Sequence, residues 1–493
     1  MDNIILLSDS YKTGHYLQYP PKTNTVYSYF ESRGGRSPHT MFFGLQYYLK
    51  KYLQGVVVTE EKIQEAKEII TAHMGNERLF NEKGWRYILE NHGGKLPVRI
   101  KAVPEGAIVD NFNVLVTVEN TDPNCYWLTN YLETLLVQVW YASTVATQSN
   151  AILKMLTEFA ELTGDTSLVN FKLHDFGFRG VSSVESAGIG GLAHLINFLG
   201  TDTMEALVFA KKYYNCDCAG FSIPASEHST ITSWGKENED KAMENMLDQY
   251  SDCPLIACVS DSYDIFKACS DIWGTKLKDK IMKRNGTLVI RPDSGDPKTV
   301  ILQILNILWD KFGGNVNNKG YKVLDPHVRV IQGDGVNYDS IKSILEAMEE
   351  QNYSIDNIAF GMGGALLQKL DRDTQKFAFK CSSININGKE IDVYKKPITD
   401  IGKMSKKGRL KLVAVEGNNG KNKLYTIKRG VSQEKDILEE VFLNGKITKK
   451  YTLDEVRENS KKEYCSEICL CKNDDKEIQR HYLGGHKNIK REK

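Results

Sequence analysis

Two glycine-rich turns carry the first chemical signal. Gly333-Asp334-Gly335 and Gly363-Gly364 each follow a short apolar run and precede a helical pattern. Glycine lets backbone N–H groups approach an anion, and a helix N-terminus adds positive potential. Glycine is also the default turn residue, so one such loop would mean little. Two at neighbouring strand ends favour a phosphate site. Neither is a Walker A loop, because no Gly-Lys-Ser or Gly-Lys-Thr completes it.

Three further groups could act beside an anion. In Arg291-Pro292-Asp293-Ser294-Gly295, an aspartate at a strand end can accept hydrogen bonds from ribose hydroxyls or bind Mg²⁺. The arginine can hold a phosphate through two parallel hydrogen bonds. Taken alone, a salt-bridged turn is the commoner reading of that string. His228 follows Glu227 near a helix start. An isolated histidine is more often structural, but a strand-end imidazole beside a carboxylate can be a nucleophile whose tautomer the carboxylate fixes. Asp261 is the alternative orienting group. Phe176 and Tyr11 could sandwich a flat ring, although aromatic residues usually serve the core.

The elements that would position these groups form a repeated pattern. Apolar runs at 171–175, 220–224, 254–259, 287–290, 328–331 and 358–360 each end in polar or glycine residues, and a helical stretch follows. Gly200-Thr201-Asp202 reads as a further turn of this kind. Buried parallel strands alternating with helices predict an α/β fold, here an irregular (β/α) barrel. In such a barrel the site forms where strands end. The two ends of the chain differ, with strand-like runs at 25–30, 98–103 and 114–118, and alternating runs after about residue 380. The expected division is a barrel-like catalytic domain over 139–379 and a mixed α/β, strand-rich domain from 1–138 and 380–493.

The totals narrow the function classes. A chain of 493 residues exceeds one ordinary core, so two domains are expected. Lys plus Arg number 64 against 63 Asp plus Glu, which argues against a general nucleic-acid binder. No apolar stretch approaches the ~20 residues of a membrane helix. The opening apolar run is too short for a signal peptide. Ten scattered cysteines do not suggest a disulfide framework, so a cytoplasmic location is expected.

Residues 27–31, 172–180, 224–230, 260–264, 290–295, 331–336 and 363–370 together resemble the nicotinamide phosphoribosyltransferases, in consistent order from about residue 4 to about 460. The resemblance implies a type II phosphoribosyltransferase fold and a homodimer with shared active sites. The implied substrates are nicotinamide and phosphoribosyl pyrophosphate, with ATP as co-substrate and Mg²⁺ as cofactor. Phe176 would stack on the pyridine ring and Tyr11 of the partner subunit would cover its other face. Asp202 would accept from the carboxamide, Arg179 would contact base and nucleotide, and Asp9 would join the substrate-binding set. Asp293 would hold the ribose hydroxyls. Gly333, Asp334, Gly363 and Gly364 would cradle the 5′-phosphate with Arg291 beside them. Arg33, Arg372, Lys380, Lys395 and Lys403 would line the pyrophosphate and ATP side. His228 would be phosphorylated transiently, supported by Asp261 and Glu227, and Asp261 and Asp293 would be the metal ligands.

The chemistry agrees with these roles. Loss of pyrophosphate from ribose C1 passes through an oxocarbenium-like state, and cations can stabilise the polyanionic leaving group. A carboxylate at Asp202 favours an amide over nicotinate, since opposed like charges cost several kcal/mol. The chain departs from the family pattern at Met362, Ala257 and Ala378, which replace small polar residues, and in a shorter loop after Arg36. Each of those three side chains removes a phosphate or water contact, so altered affinity is expected. Cys465, Cys469, Cys471, His481 and His486 lack a standard zinc spacing, and a polar tail is the simpler reading. The competing functions are a nicotinate phosphoribosyltransferase, a catalytically silent binding protein on the same scaffold, and a barrel glycosidase using Asp261 and Asp293.

Overall fold

A computed structural model describes residues 2–399, 403–416 and 422–462. The cysteines and histidines of the C-terminal tail lie outside the described residues. The chain divides into two compact units. One comprises Tyr141–Thr374 and Thr452–Arg457, and the other Met1–Trp140, Gln375–Tyr451 and Glu458–Lys493.

The first unit is built on six parallel strands: β1 (Leu173–Asp175), β2 (Gly200–Thr201), β3 (Leu255–Val259), β4 (Thr287–Arg291), β5 (Val328–Gln332) and β6 (Ile358–Met362). The spatial order is β2-β1-β6-β5-β4-β3. Residues 221–225 join its two edges. Phe221 bridges Gly200 on β2, and Ala225 bridges Ala257 on β3, both in parallel. The Phe221 N–H donates to Leu199 (2.7 Å) and the Ala257 N–H donates to Pro224 (2.8 Å). The result is a closed barrel of seven positions, and the irregularity expected from the sequence is this closing segment.

Strand composition follows from burial on both faces, which favours continuous apolar runs such as Ile256-Ala257-Cys258-Val259. Alternate residues then divide. Ala257, Val289 and Ile331 form an inner cluster packed by Ile223, Ala359 and Phe176. Ile256, Cys258, Leu288, Ile290 and Val330, all fully buried, point to the surrounding helices. The helix Pro297–Phe312 shows how the sequence builds that outer layer. Asp296 caps it through the Thr299 N–H, and Pro297 supplies a first position that needs no donor. Its buried residues Ile301, Ile304, Leu305, Leu308 and Phe312 fall at i, i+3, i+4, i+7 and i+11, one face of a helix.

A buried histidine makes this unit acid-sensitive. His194 ends the helix Val184–His194, with Nδ1 at 3.0 Å from the Ser149 hydroxyl and Nε2 at 3.2 Å from the Leu173 carbonyl. Burial pushes its pKa down to about 3. The unfolded chain therefore takes up the proton first as pH falls below about 6.5, and stability is lost from there toward pH 3. The slope is at most about 1.4 kcal/mol per pH unit. In His194→Gln the fall of the melting temperature between pH 6 and 4.5 is expected to be shallower. An unchanged slope would remove His194 as a cause.

The second unit is strand-rich and assembled from both chain ends, as expected. Its seven-stranded sheet runs Lys389–Asp392, Phe377–Ile386, Thr23–Ser32, Val114–Asn120, Val98–Ala102, Glu439–Leu443 and Lys446–Ile447. Thr23–Ser32 pairs antiparallel with Phe377–Ile386 on one side and Val114–Asn120 on the other. Trp85 of the helix Glu82–His92 packs edge to face with Trp127 and Tyr131, which pack edge to face with each other. Among the described residues, no helix is long and apolar enough to cross a membrane.

Candidate active site

Because the barrel strands are parallel, the residues that follow them gather at one rim. Phe176 follows β1 and Asp202 follows β2. Glu227 and His228 follow the closing segment. Asp261, Asp293, Gly333 and Gly363 follow β3, β4, β5 and β6.

His228 opens the short helix His228–Thr232, with Glu227 as its extended N-cap. Its Nε2 lies 2.9 Å from Asp261 Oδ1. The imidazole is 45% exposed and the aspartate side chain 5%. Asp261 Oδ2 accepts two further bonds, from the Asp293 N–H (3.1 Å) and the Ser294 hydroxyl (2.6 Å). Asp261 is thus the group that orients the histidine. The Glu227 carboxylate instead receives the Ser229 hydroxyl.

A second group converges on Gly333. A Cβ added there would lie 3.1 Å from Asp293 Oδ1, 3.6 Å from Phe176 Cε2 and 3.7 Å from Arg291 Cδ. Arg291 Nη2 stands 3.5 Å from Asp293 Oδ2. Phe176 lies against Gly361, where an added Cβ would come within 1.9 Å of the ring. The Phe176 N–H donates to the Met362 carbonyl (3.0 Å). Gly180, the residue after Arg179, approaches Gly364 so closely that a Cβ would meet its Cα at 3.1 Å. The exposed Arg179 therefore borders the glycine loop. Asp334 follows Gly333 and accepts the Gln332 side-chain amide through its carbonyl (2.7 Å).

The base side is organised by β1 and β2. Asp202 is exposed, donates its N–H to the Asp175 carbonyl (3.0 Å), and accepts the Ser222 hydroxyl. Asp175 points outward and is fully buried. Burial pushes its pKa up to about 6 against the opposing bond from the Gly177 N–H. His174 lies below Phe176 inside the barrel, its ring centroid 6.2 Å away. Burial lowers its pKa, with Asp202 opposing. Motif reading assigns His174 no role, although its i,i+2 spacing to Phe176 places both on one face of the strand line.

The remaining cationic residues divide between the units. Arg372 is exposed in the barrel unit, 3.5 Å from Asp373. Arg33, Lys380, Lys395 and Lys403 belong to the antiparallel unit. Arg33 Nε is 2.7 Å from Glu31, which also receives Lys406, and its Nη2 is buried with no hydrogen-bond partner among the described residues. Lys380 Nζ donates to the Phe379 carbonyl (2.7 Å). Lys395 and Lys403 are exposed. Tyr11, 62% exposed, and Asp9, which accepts the Thr134 hydroxyl (2.6 Å), also lie in that unit.

The family departures sit in distinct places. Met362 is buried with its side chain on the outward face of β6, because Ala359 packs on the inner cluster and Gly361 on Phe176. It therefore takes no contact from the glycine loop. Ala257 lies in the inner cluster, and Ala378 pairs with Glu31 in the antiparallel sheet.

For a divalent cation, carboxylate oxygens at the rim suit Mg²⁺. Asp261 fits poorly, because its two oxygens already take three donors. Asp293 fits better, with Oδ1 facing Gly333. In the antiparallel unit, His92, Asp122 and Cys125 bring potential ligand atoms within 4.8 Å of one another. Asp122 there caps a turn through the Asn124 N–H (2.8 Å), while taking His92 Nε2 (2.8 Å) and the Tyr87 hydroxyl (3.0 Å).

Comparison with known proteins gives the family. Residues 171–460 match the nicotinate phosphoribosyltransferase (NAPRTase) family, and residues 3–100 match the nicotinamide phosphoribosyltransferase N-terminal domain. The chain is 51% identical over 462 residues to a nicotinamide phosphoribosyltransferase of Xanthomonas campestris, covering 93% of this chain and 98% of that one. It is 32% identical to one of Acinetobacter baylyi, covering 91% and 95%. The fold is similar to a nicotinate-nucleotide pyrophosphorylase of Pyrococcus furiosus (TM-score 0.58, 16% identity, 93% and 95% covered). It is also similar to the human nicotinic acid phosphoribosyltransferase (TM-score 0.55, 14% identity, 92% and 93% covered).

Proposed function

The chain belongs to the nicotinate phosphoribosyltransferase family and, within it, to the nicotinamide phosphoribosyltransferases, and from that premise we propose that it makes nicotinamide mononucleotide from nicotinamide and phosphoribosyl pyrophosphate in NAD salvage. The observation that carries the reading is the convergence of Phe176, Arg291 and Asp293 on Gly333 at the rim that also bears the His228–Asp261 pair.

In this reaction the pyridine nitrogen forms a bond to ribose C1 as the bond from C1 to the pyrophosphate oxygen breaks. Phe176 offers one ring face, and Tyr11 from the partner subunit of a homodimer covers the other, so the nitrogen is aimed before C1 opens. Asp202 accepts from the carboxamide, and its charge disfavours nicotinate. Arg179 contacts base and nucleotide. Asp293 holds the ribose hydroxyls. Gly333, Asp334, Gly363 and Gly364 receive the 5′-phosphate on their backbone, with Arg291 beside them. Arg33, Arg372, Lys380, Lys395 and Lys403 serve the pyrophosphate and ATP, and Asp9 joins the substrate-binding set. Mg²⁺, held at Asp293, would neutralise charge on the leaving pyrophosphate.

ATP assistance runs through His228. With Nε2 turned to Asp261, Nδ1 is the ring nitrogen left to attack. The Nδ1–phosphorus bond forms, the bond from the γ-phosphorus to the bridging oxygen breaks, and ADP leaves. The Nε2 proton stays shared with Asp261, and water later hydrolyses the N–P bond to release phosphate. Glu227 holds the helix start. A cytoplasmic setting suits the free thiols of the seven described cysteines.

The test supplies purified protein with phosphoribosyl pyrophosphate, Mg²⁺ and either nicotinamide or nicotinate, with and without ATP. Mononucleotide is expected from nicotinamide at least tenfold faster than from nicotinate. ATP should stimulate the reaction in the wild type and not in His228→Ala. No product from nicotinamide under any condition would defeat the proposal. Preference for nicotinate would favour the runner-up and remove the role of Asp202.

A further inference from the structure

We propose that Ser294 is a positioning residue that ties the state of His228 to the sugar-holding loop, with Asp261 as the acceptor they share. This rests on the phosphohistidine reading above and names the contact through which the two halves of that chemistry communicate.

Three strand ends meet at one carboxylate. His228 arrives from the closing segment, Asp261 from β3, and Asp293 and Ser294 from β4. Oδ1 of Asp261 faces His228, whereas Oδ2 takes both donors of the β4 loop. The carboxylate is 5% exposed, so water does not compete for these lone pairs, and a change on one oxygen is felt on the other. Phosphoryl transfer to Nδ1 draws electrons from the ring and strengthens the Nε2–H bond to Oδ1. The negative charge of Asp261 shifts toward that oxygen, and the donors on Oδ2 must follow or loosen.

The loop can answer such a shift. Pro292 precedes Asp293, and Gly295 follows Ser294 at φ +87°, a left-handed turn that side-chain-bearing residues rarely adopt. Between these points the Asp293 carboxylate has, among the described residues, only Arg291, at 3.5 Å, as an ionic partner. The position of the ribose-holding group is therefore set by the backbone bond to Asp261 and by the shorter Ser294 bond. Coupling of this kind is reciprocal: what His228 does to the loop, occupancy of the loop does to His228.

Ser294→Ala deletes the 2.6 Å donor and keeps the backbone donor. The measurement is KM for phosphoribosyl pyrophosphate with and without ATP, beside acid-labile ³²P incorporation from γ-labelled ATP. Wild type is expected to show label and an ATP-dependent fall in KM. In Ser294→Ala that fall should shrink at least threefold, Ser294→Thr should restore it, and in a His228→Ala background Ser294→Ala should change the ratio no further. A labelled wild type whose ATP effect survives Ser294→Ala intact would overturn the relay alone, as would an equal loss in the His228→Ala background. A wild type that takes no label would overturn the phosphohistidine reading, and the relay with it.

Discussion

Asp293→Asn is expected to lower kcat/KM for mononucleotide synthesis by about 100- to 1000-fold, or about 2.7–4 kcal/mol of transition-state stabilisation. The carboxylate projects toward Gly333, with one oxygen 3.1 Å from where a Cβ would sit and the other 3.5 Å from Arg291. An amide keeps the shape but loses the charge, and it offers the ribose one acceptor where there were two. A hydrogen bond to an ionised group contributes about 1.5–3 kcal/mol, so losing one and turning the other into a weaker bond to a neutral acceptor gives about the stated range. The fold should survive, because the contact that seats this residue in the loop is its backbone N–H on Asp261. Steady-state kinetics beside a thermal melt separates the outcomes. A loss under tenfold with an unchanged melt would mean that Asp293 does not hold the sugar.

Gly361→Ala should act on the base instead. The added methyl would fall 1.9 Å from Phe176 Cε2, far inside any van der Waals contact, so the ring must leave its seat. Inserting one methyl into such a packed place costs typically 1–3 kcal/mol of stability. Displacing the ring also removes the surface that aims the pyridine nitrogen. A KM for nicotinamide raised about 10- to 100-fold is expected, on the order of 1.4–2.8 kcal/mol, with KM for phosphoribosyl pyrophosphate changed much less. Equal effects on both substrates would point to general loosening of the rim. No effect on either would mean that Phe176 does not carry the base.

The barrel was legible because strands buried on both faces read as unbroken apolar runs, and because Asp261, Asp293 and the glycine loops follow those runs directly. The run at 220–224 reads as a unit like the others; its weak pairing was not legible, because Pro224 has no N–H to extend a ladder and residues 221–225 form two isolated bridges in place of a strand. Motif reading took Met362 for a loop residue, whereas the alternation set by Ala359 and Gly361 turns it outward. It named the string containing Ser294 without a role, since a bond from one loop to the carboxylate of another leaves no spacing signature. His174 escaped for the same reason. Its meaning depends on which face of β1 looks inward, and a three-residue strand does not announce that.

The closing segment has a mechanical meaning of its own. Six staves of the barrel are tied along their length or into a laddered neighbour, and the seventh is pinned at two points. Such a wall does not breathe evenly, and it yields first along that seam. His228 rides three residues beyond the seam, while Asp261 rides on a stave laddered over five residue pairs. His228, proposed above as the nucleophile, is thus mounted on the softest part of the wall and Asp261 on a stiff one, so under that proposal the ring can swing toward a phosphoryl donor while the rest of the rim holds its shape.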